Sequence, residues 1–168
     1  MELFNGGHIL FKEIPLLAEK EFRAEVLLRC RQDARLANLF GCPEDGGVRL
    51  IAILGLDEDS GLQILSTKIP AERPHYESLT PELLQAQLFE RESAEQWAVT
   101  PEGHPWLKPV RYHRNYRGVP DLWQGIKERT IPGSYPFYAV GGEEVHEVGV
   151  GPVHAGIIEP GHFRFQCH

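Results

Sequence analysis

The sequence predicts an α+β domain of two layers: an antiparallel or mixed sheet, with a three-stranded meander as its core, packed on two helices and followed by an extended C-terminal tail. Three observations predict it. Residues 19–32 and 80–99 place apolar side chains at helical spacing. Residues 36–41, 48–56 and 62–69 read as strands separated by short polar turns. Beyond His104 any regular period gives way to proline, glycine and aromatic residues, the texture of a segment that wraps over a surface. With 168 residues, 42% of them apolar, the chain is large enough for one domain with a real core.

Each element can be justified in order. Ile9, Phe11 and Ile14 alternate loosely before Pro15, which suggests a short edge strand or arm. Phe22, Val26, Leu27 and Cys30 line one face of the first helix, with charges opposite. The period then changes at Leu36–Phe40, and Gly41-Cys42-Pro43-Glu44-Asp45-Gly46-Gly47 reads as a turn. Val48–Leu56 is almost wholly apolar, as in a central strand covered on both faces. Asp57-Glu58-Asp59-Ser60-Gly61 forms a hairpin loop into Leu62–Ile69. Thr80 as N-cap, Pro81 at the first helical position and Glu82 beside the positive helix end start a second helix. It runs to about Val99, burying Leu84, Leu88, Ala94 and Trp97, until Pro101 and Gly103 stop it. In the tail, Phe163 and Phe165 alternate with Arg164 and Gln166 as in a strand, and the absence of a following strand suggests a longer natural chain.

Charge and composition remove several functions. Lys and Arg number 17 against 24 Asp and Glu, a net −7, and the one basic cluster, Arg111, Arg114 and Arg117, is short. Nucleic acid is not an expected partner, because gripping a phosphate backbone needs clustered cations. No apolar run nears the roughly 20 residues of a bilayer span, so no direct membrane insertion is expected. No export leader is visible, and three scattered cysteines (Cys30, Cys42, Cys167) suit a reducing cytoplasm.

Few motifs suggest chemistry. Glu90-Arg91-Glu92, with Glu95, reads first as a solvated helix face of weak ion pairs. The alternative is that Arg91 enters a partly buried network joining the helix to the sheet or to a partner. His104, His113, His146, His154, His162 and His168 have irregular separations and no Cys-x-x-Cys companion, so no metal site is expected on this chain. No nucleophile elbow, phosphate loop or dinucleotide fingerprint is present. Within Gly151–Phe165, Glu159 and His162 stand three residues apart on a Pro-Gly bend. Such a pair can line a proton path when its pKa values are tuned, although the local residues by themselves favour a plain turn.

Leu88-Phe89-Glu90-Arg91-Glu92, then Glu95, Trp97 and Gly103-His104-Pro105, resemble the NADH dehydrogenase 30 kDa subunit family of respiratory complex I. Glu95 stands where that pattern has Asp, and Ala98 where it has Gly; Val110-Arg111 answers loosely to a later basic stretch. Gly151-Pro152 through Glu159-Pro160-Gly161-His162-Phe163-Arg164 resembles the start of the large subunit of membrane-bound [NiFe]-hydrogenases of the formate hydrogenlyase type.

The resemblance implies three parts: a 30 kDa subunit-like α+β domain at 1–113, a linker at 114–148 and the beginning of a large-subunit domain at 149–168. It implies a non-catalytic assembly role on the cytoplasmic, peripheral arm of a membrane-bound redox complex. The partners would be the remainder of the large subunit, an iron–sulfur small subunit and, through the complex, membrane subunits. It implies no cofactor in this fragment, with a Ni–Fe centre and iron–sulfur clusters elsewhere in the complex. Glu159 and His162 become proton-transfer residues of the intact large subunit. Glu90, Arg91, Glu92, Trp97 and His154 become structural or interface residues. Trp106, Trp123, Tyr135, Phe137 and Tyr138 are equally interface anchors or packing for the linker. A quinone-reducing complex I-like enzyme and a stand-alone metabolite-binding domain are the alternatives.

Overall fold

The computed structural model describes residues 2–4, 6–58, 60–111, 114–123 and 140–168. The chain divides into two units, Met1–Ser134 and Tyr135–His168.

The first unit is built on one sheet. Strands β3 (Arg35–Glu44), β4 (Gly47–Leu56) and β5 (Gly61–Pro70) form an antiparallel meander, Val48 facing Ile69 and Leu39 facing Ala52. Two short strands share the far edge of β5: β1 (Glu2–Phe4) pairs antiparallel with its start and β2 (Leu16–Leu17) parallel with its middle. The sheet is therefore mixed, and its order is β1-β5-β4-β3. Helices α1 (Glu19–Arg31) and α2 (Gln87–Trp97) form the second layer. Between the layers Phe22, Val26 and Leu27 of α1 meet Leu39, Val48, Leu50, Ala52, Leu54, Leu65 and Ile69. Alternate residues of β4 reach this core, as the period of two requires. A two-strand parallel pair, β6 (His75–Glu77) with β7 (Thr100–Glu102), closes the end of the domain.

The predicted architecture stands, with four local corrections. Ile9, Phe11 and Ile14 are not in a strand; Phe11–Glu13 is a 3₁₀ turn and the pairing segments lie on either side of it. Arg49 accounts for this: its guanidinium donates to the Phe11 and Ile14 carbonyls (3.2 and 2.6 Å), drawing them away from a ladder. The turn at 41–47 shrinks to Asp45-Gly46, since β3 continues through Pro43. Proline is tolerated there because β3 is an edge strand and loses no inter-strand donor on its open side. The second helix starts at Gln87, preceded by a 3₁₀ turn at Leu84–Ala86, instead of at Thr80. Thr80 caps nothing; its hydroxyl and amide are committed to Glu90. That late start turns Leu84 and Leu88 outward, 79% and 56% exposed, while Ala94 is buried as expected.

The second unit contains a hairpin. β8 (His146–Val153) pairs antiparallel with β9 (Gly161–Cys167), Val148 facing Phe165 and Val150 facing Phe163, with an irregularity between Val150 and Val153. The tail strand thus does have a partner, supplied by residues 146–153.

Candidate functional site

Helix α2 carries the densest polar constellation, and its charges point in two directions. Glu90 faces inward and is fully buried. Its Oε1 accepts the Leu79 amide (2.7 Å); its Oε2 accepts the Ser78 hydroxyl (2.6 Å), the Thr80 hydroxyl (2.6 Å) and the Thr80 amide (3.1 Å). Three donors converge on Oε2 and one on Oε1, which commits most of what a carboxylate can accept. The start of α2 adds its positive dipole end. The result is a clamp that fixes residues 78–80 under the helix. From the other side Arg23 of α1 donates to the Ser78 carbonyl (3.3 and 3.1 Å) and pairs with Glu82.

Glu82 is therefore a bridge between Arg23 and Arg31 on α1, not a helix-start residue. The hydrogen bond from Arg23, ahead of the charges of both arginines, holds its carboxyl below the ordinary value. Tyr76 lies beside Glu90, its hydroxyl buried and without a partner of good hydrogen-bond geometry among the described residues. Burial first, then the neighbouring Glu90 charge, pushes its phenol well above 10.

The outward side of α2 grips the segment 104–111. Arg91, 8% exposed, donates through Nε to the Lys108 carbonyl (2.8 Å) and through Nη2 to the Pro109 carbonyl (3.2 Å), and its guanidinium lies 4.7 Å over the Trp106 ring. Glu95, also buried, accepts the Val110 and Arg111 amides (2.6 and 2.8 Å). Glu92 takes the Arg111 guanidinium at 2.7 Å. His104 accepts the Trp106 amide at Nδ1 (3.0 Å) and meets the Gln87 carbonyl through Nε2 (3.2 Å), which places its proton on Nε2. The reading of this cluster as a solvated face is overturned. Of its members only Glu92 keeps substantial exposure, and Arg91 takes the network role.

Trp97 ends the helix against β3. A side chain on Gly41 would come within 2.3 Å of its ring, so the indole needs that glycine. Its other neighbour is Tyr116, at 5.4 Å between centroids, and its carbonyl accepts Arg117 at 3.3 Å. Ala98 then closes the helix in the left-handed region, with φ of 49°.

The remaining predicted residues lie in the second unit. Glu159 sits on the exposed turn between β8 and β9, and His162 packs its ring against Gly151, where an added Cβ would meet Nδ1 at 2.7 Å. Among the described residues, no hydrogen bond or ion pair brings Glu159 and His162 together. His154 shapes the turn by contacting the Ile158 carbonyl through Nδ1 (2.8 Å), while its own carbonyl accepts the Ile157 and Ile158 amides. Of the aromatic candidates, Trp106 is 53% exposed and Trp123 donates to the Leu107 carbonyl at 3.4 Å. Tyr135, Phe137, Tyr138 and His113 lie outside the described residues.

Two functional groups escaped the sequence reading: Ser78 and Thr80, which serve Glu90, and Arg49, which holds the N-terminal segment. Arg49 left a signal, since a cation inside the apolar run Val48–Leu56 must be buried and satisfied. Its partners are the Ser66 hydroxyl (3.0 Å), the two carbonyls named above and the Phe11 ring at 4.6 Å.

Among the described residues, Glu90, Arg91 and Glu95 lie outside two surface depressions. One of about 340 Å3 is bordered by Arg114, Asn115 and Asp121, another of about 280 Å3 by Arg35, Asp57 and Ser60. Among the described residues no three His, Cys, Asp or Glu side chains are grouped to hold a metal ion, and no helix is long and apolar enough to cross a membrane.

Residues 18–122 match the family model described as "Respiratory-chain NADH dehydrogenase, 30 Kd subunit". Among solved structures, the trypsin-resistant fragment (1-134) of Nqo5 in its P63 form aligns at 22% identity with a TM-score of 0.47, covering 55% of this chain and 80% of that one. No curated protein matches the sequence.

Proposed function

The chain belongs to the family of the respiratory-chain NADH dehydrogenase 30 kDa subunit, and from that premise we propose that it is a non-catalytic assembly module of a membrane-associated redox complex. One observation carries this reading: the side chains best suited to chemistry, Glu90, Arg91 and Glu95, are spent on the protein's own backbone. A group whose donors or acceptors are saturated internally positions structure and has nothing left for a substrate.

In the finer form of the proposal, the complex is a hydrogenase of the formate hydrogenlyase type, and the hairpin β8–β9 opens its large subunit. The Gly151–Arg164 segment and its exposed Glu159 and His162 support that form. The described residues do not fit a metal centre. In this form of the proposal nickel–iron and iron–sulfur chemistry belongs to other segments and subunits, and Glu159 with His162 serves proton transfer once those are present.

The test is isolation of the complex from its native host through a tag on this chain. Recovery of iron–sulfur and hydrogenase subunits, with the isolated chain inert toward hydrogen and quinones, supports the proposal. Turnover by the isolated chain, or stoichiometric nickel in it, overturns it. In the intact complex Glu159→Gln should slow hydrogen-dependent turnover by about a hundredfold, the usual scale for a lost proton-transfer group.

A further inference from the structure

The chain's own N-terminal segment lies along the outer edge of β5, and it is held there chiefly through its backbone carbonyls. The Phe11 and Ile14 carbonyls accept the Arg49 guanidinium (3.2 and 2.6 Å). The Pro15 carbonyl accepts the Ser66 amide (3.0 Å) and hydroxyl (2.7 Å), and the Leu17 carbonyl accepts the Thr67 hydroxyl (3.0 Å). The segment's side chains add less. No residue of the 3₁₀ turn Phe11–Glu13 is buried, Leu10, Phe11 and Leu16 are 53%, 45% and 53% exposed, and Leu17 packs in part against the core. Arg49 is itself buried, yet the groups that accept its hydrogen bonds, those two carbonyls and the Ser66 hydroxyl, are all neutral.

We infer that residues 8–17 are a releasable strap latched by Arg49, and that the edge of β5 they cover accepts an extended segment of another protein chain in their place. Closing the strap takes a guanidinium out of water against neutral partners, a desolvation cost that opening returns. Opening also sacrifices little apolar burial, so the strap belongs to the low end of the stability range within a fold. What it uncovers is a strand edge with donors only: the Ser66 amide, the Ser66 and Thr67 hydroxyls and the Arg49 guanidinium. Such an edge reads carbonyls in preference to side chains, and the strap itself shows what fits it. The occupant is extended backbone running parallel to β5, with Leu16 beside Ser66 and Leu17 beside Thr67.

The strap and the assembly role are independent, and either can fail without the other. The experiment uses the full chain and two readouts. In amide hydrogen exchange followed by NMR, the Ser66 amide should exchange at least about a hundredfold faster than the amides of the central strand β4. The second readout is fluorescence anisotropy of a labelled synthetic peptide of residues 8–17, which competes with the strap for the same edge. Phe11→Ala removes the ring that lies 4.6 Å from the Arg49 guanidinium and leaves the edge of β5 as it is. It should therefore bind the peptide about fivefold more tightly than wild type, because its own strap competes less well. Arg49→Lys, whose ammonium cannot span both carbonyls and the hydroxyl, should weaken peptide binding about tenfold. Circular dichroism establishes that each variant is folded. The exchange measurement on wild type and the Phe11→Ala titration carry the test if Arg49→Lys is not. Ser66 exchange as slow as that of β4 shows the strap to be an integral part of the sheet and overturns its release. Fast exchange at Ser66, with no peptide bound by folded Phe11→Ala, overturns the strand-accepting edge.

Discussion

The domain at residues 18–122 and the hairpin at 146–167 treat the same kinds of residue in opposite ways. In the domain, charged side chains go inside: Glu90, Arg91, Glu95 and Arg49 are buried, and each meets backbone or hydroxyl partners at hydrogen-bond distance. In the hairpin, apolar side chains stay outside. Val148, Val150, Phe163 and Phe165 share one face at 42–52% exposure, while Glu147 and Arg164 pair on the other. The domain satisfies these buried charges internally. The hairpin leaves its apolar face bare among the described residues, and two strands with such a face are marginal in water. Burial of charge in the domain marks where its structure depends on internal partner groups, and the exposed phenylalanines mark a face of the hairpin left uncovered among the described residues.

The largest break in that comparison is at Glu90. Glu90→Ala leaves the Leu79 amide and two hydroxyls without their acceptor in a site closed to solvent, the Thr80 amide keeping only the Ser78 hydroxyl, and should cost about 3–5 kcal/mol, measured by denaturant unfolding. Glu90→Gln, which keeps the volume but offers one acceptor oxygen and a donor, should fall between wild type and alanine. A change under about 1 kcal/mol for the alanine variant would mean that water replaces the carboxylate, and that the network adds little to stability. Next in size is Gly41→Ala. Its methyl group would overlap the Trp97 ring, and since β3 cannot retreat from its ladder with β4, the expected cost is about 2–3 kcal/mol.

The sequence showed the sheet more clearly than the site, for physical reasons. Periodicity is a property of neighbours, so β4, β5 and α1 could be read directly from Val48–Leu56, Leu62–Ile69 and Phe22–Leu27. The start of α2 could not. Thr80-Pro81-Glu82 has good capping chemistry, but a buried carboxylate ten residues away competes for the same threonine and takes both its hydroxyl and its amide. The Glu-Arg-Glu triplet looked like a solvated face for the same reason. What buries it is residues 78–80 on one side and 104–111 on the other, and no spacing rule foretells that these segments meet there. Glu95 in place of aspartate still reaches two amides, and Ala98 in place of glycine adopts the left-handed helix end that glycine would take more cheaply. Both departures from the family pattern are absorbed locally.

Tyr76 sharpens the comparison at smaller scale, because its buried hydroxyl beside Glu90 has no partner of good geometry among the described residues. Its phenol is held well above 10, so the folded state favours the neutral form. A group whose pKa is raised on folding contributes fully below its unfolded value, near 10, and loses that contribution as pH rises past it. Wild type should therefore weaken as pH rises above about 10 through this group, and Tyr76→Phe should remove that part of the slope. At neutral pH the same substitution deletes an unsatisfied buried hydroxyl and should stabilise by up to about 1 kcal/mol. Destabilisation instead would show that the hydroxyl has a bound water between it and Glu90.

The smallest effect is expected where the residue is largest. Phe163 is a phenylalanine in a regular strand, stacked on Phe165 with ring centroids 5.9 Å apart, yet it is 52% exposed. In the isolated chain Phe163→Ser should change unfolding stability by less than about 0.5 kcal/mol, as for an ordinary surface position. Under the proposed assembly the same change should be severe in the complex, where a covered apolar face would bury the serine hydroxyl. The two measurements together decide the matter. A large loss in the isolated chain would show that this face already packs against something within the chain, and the contrast between a self-sufficient domain and a partner-dependent hairpin would fail.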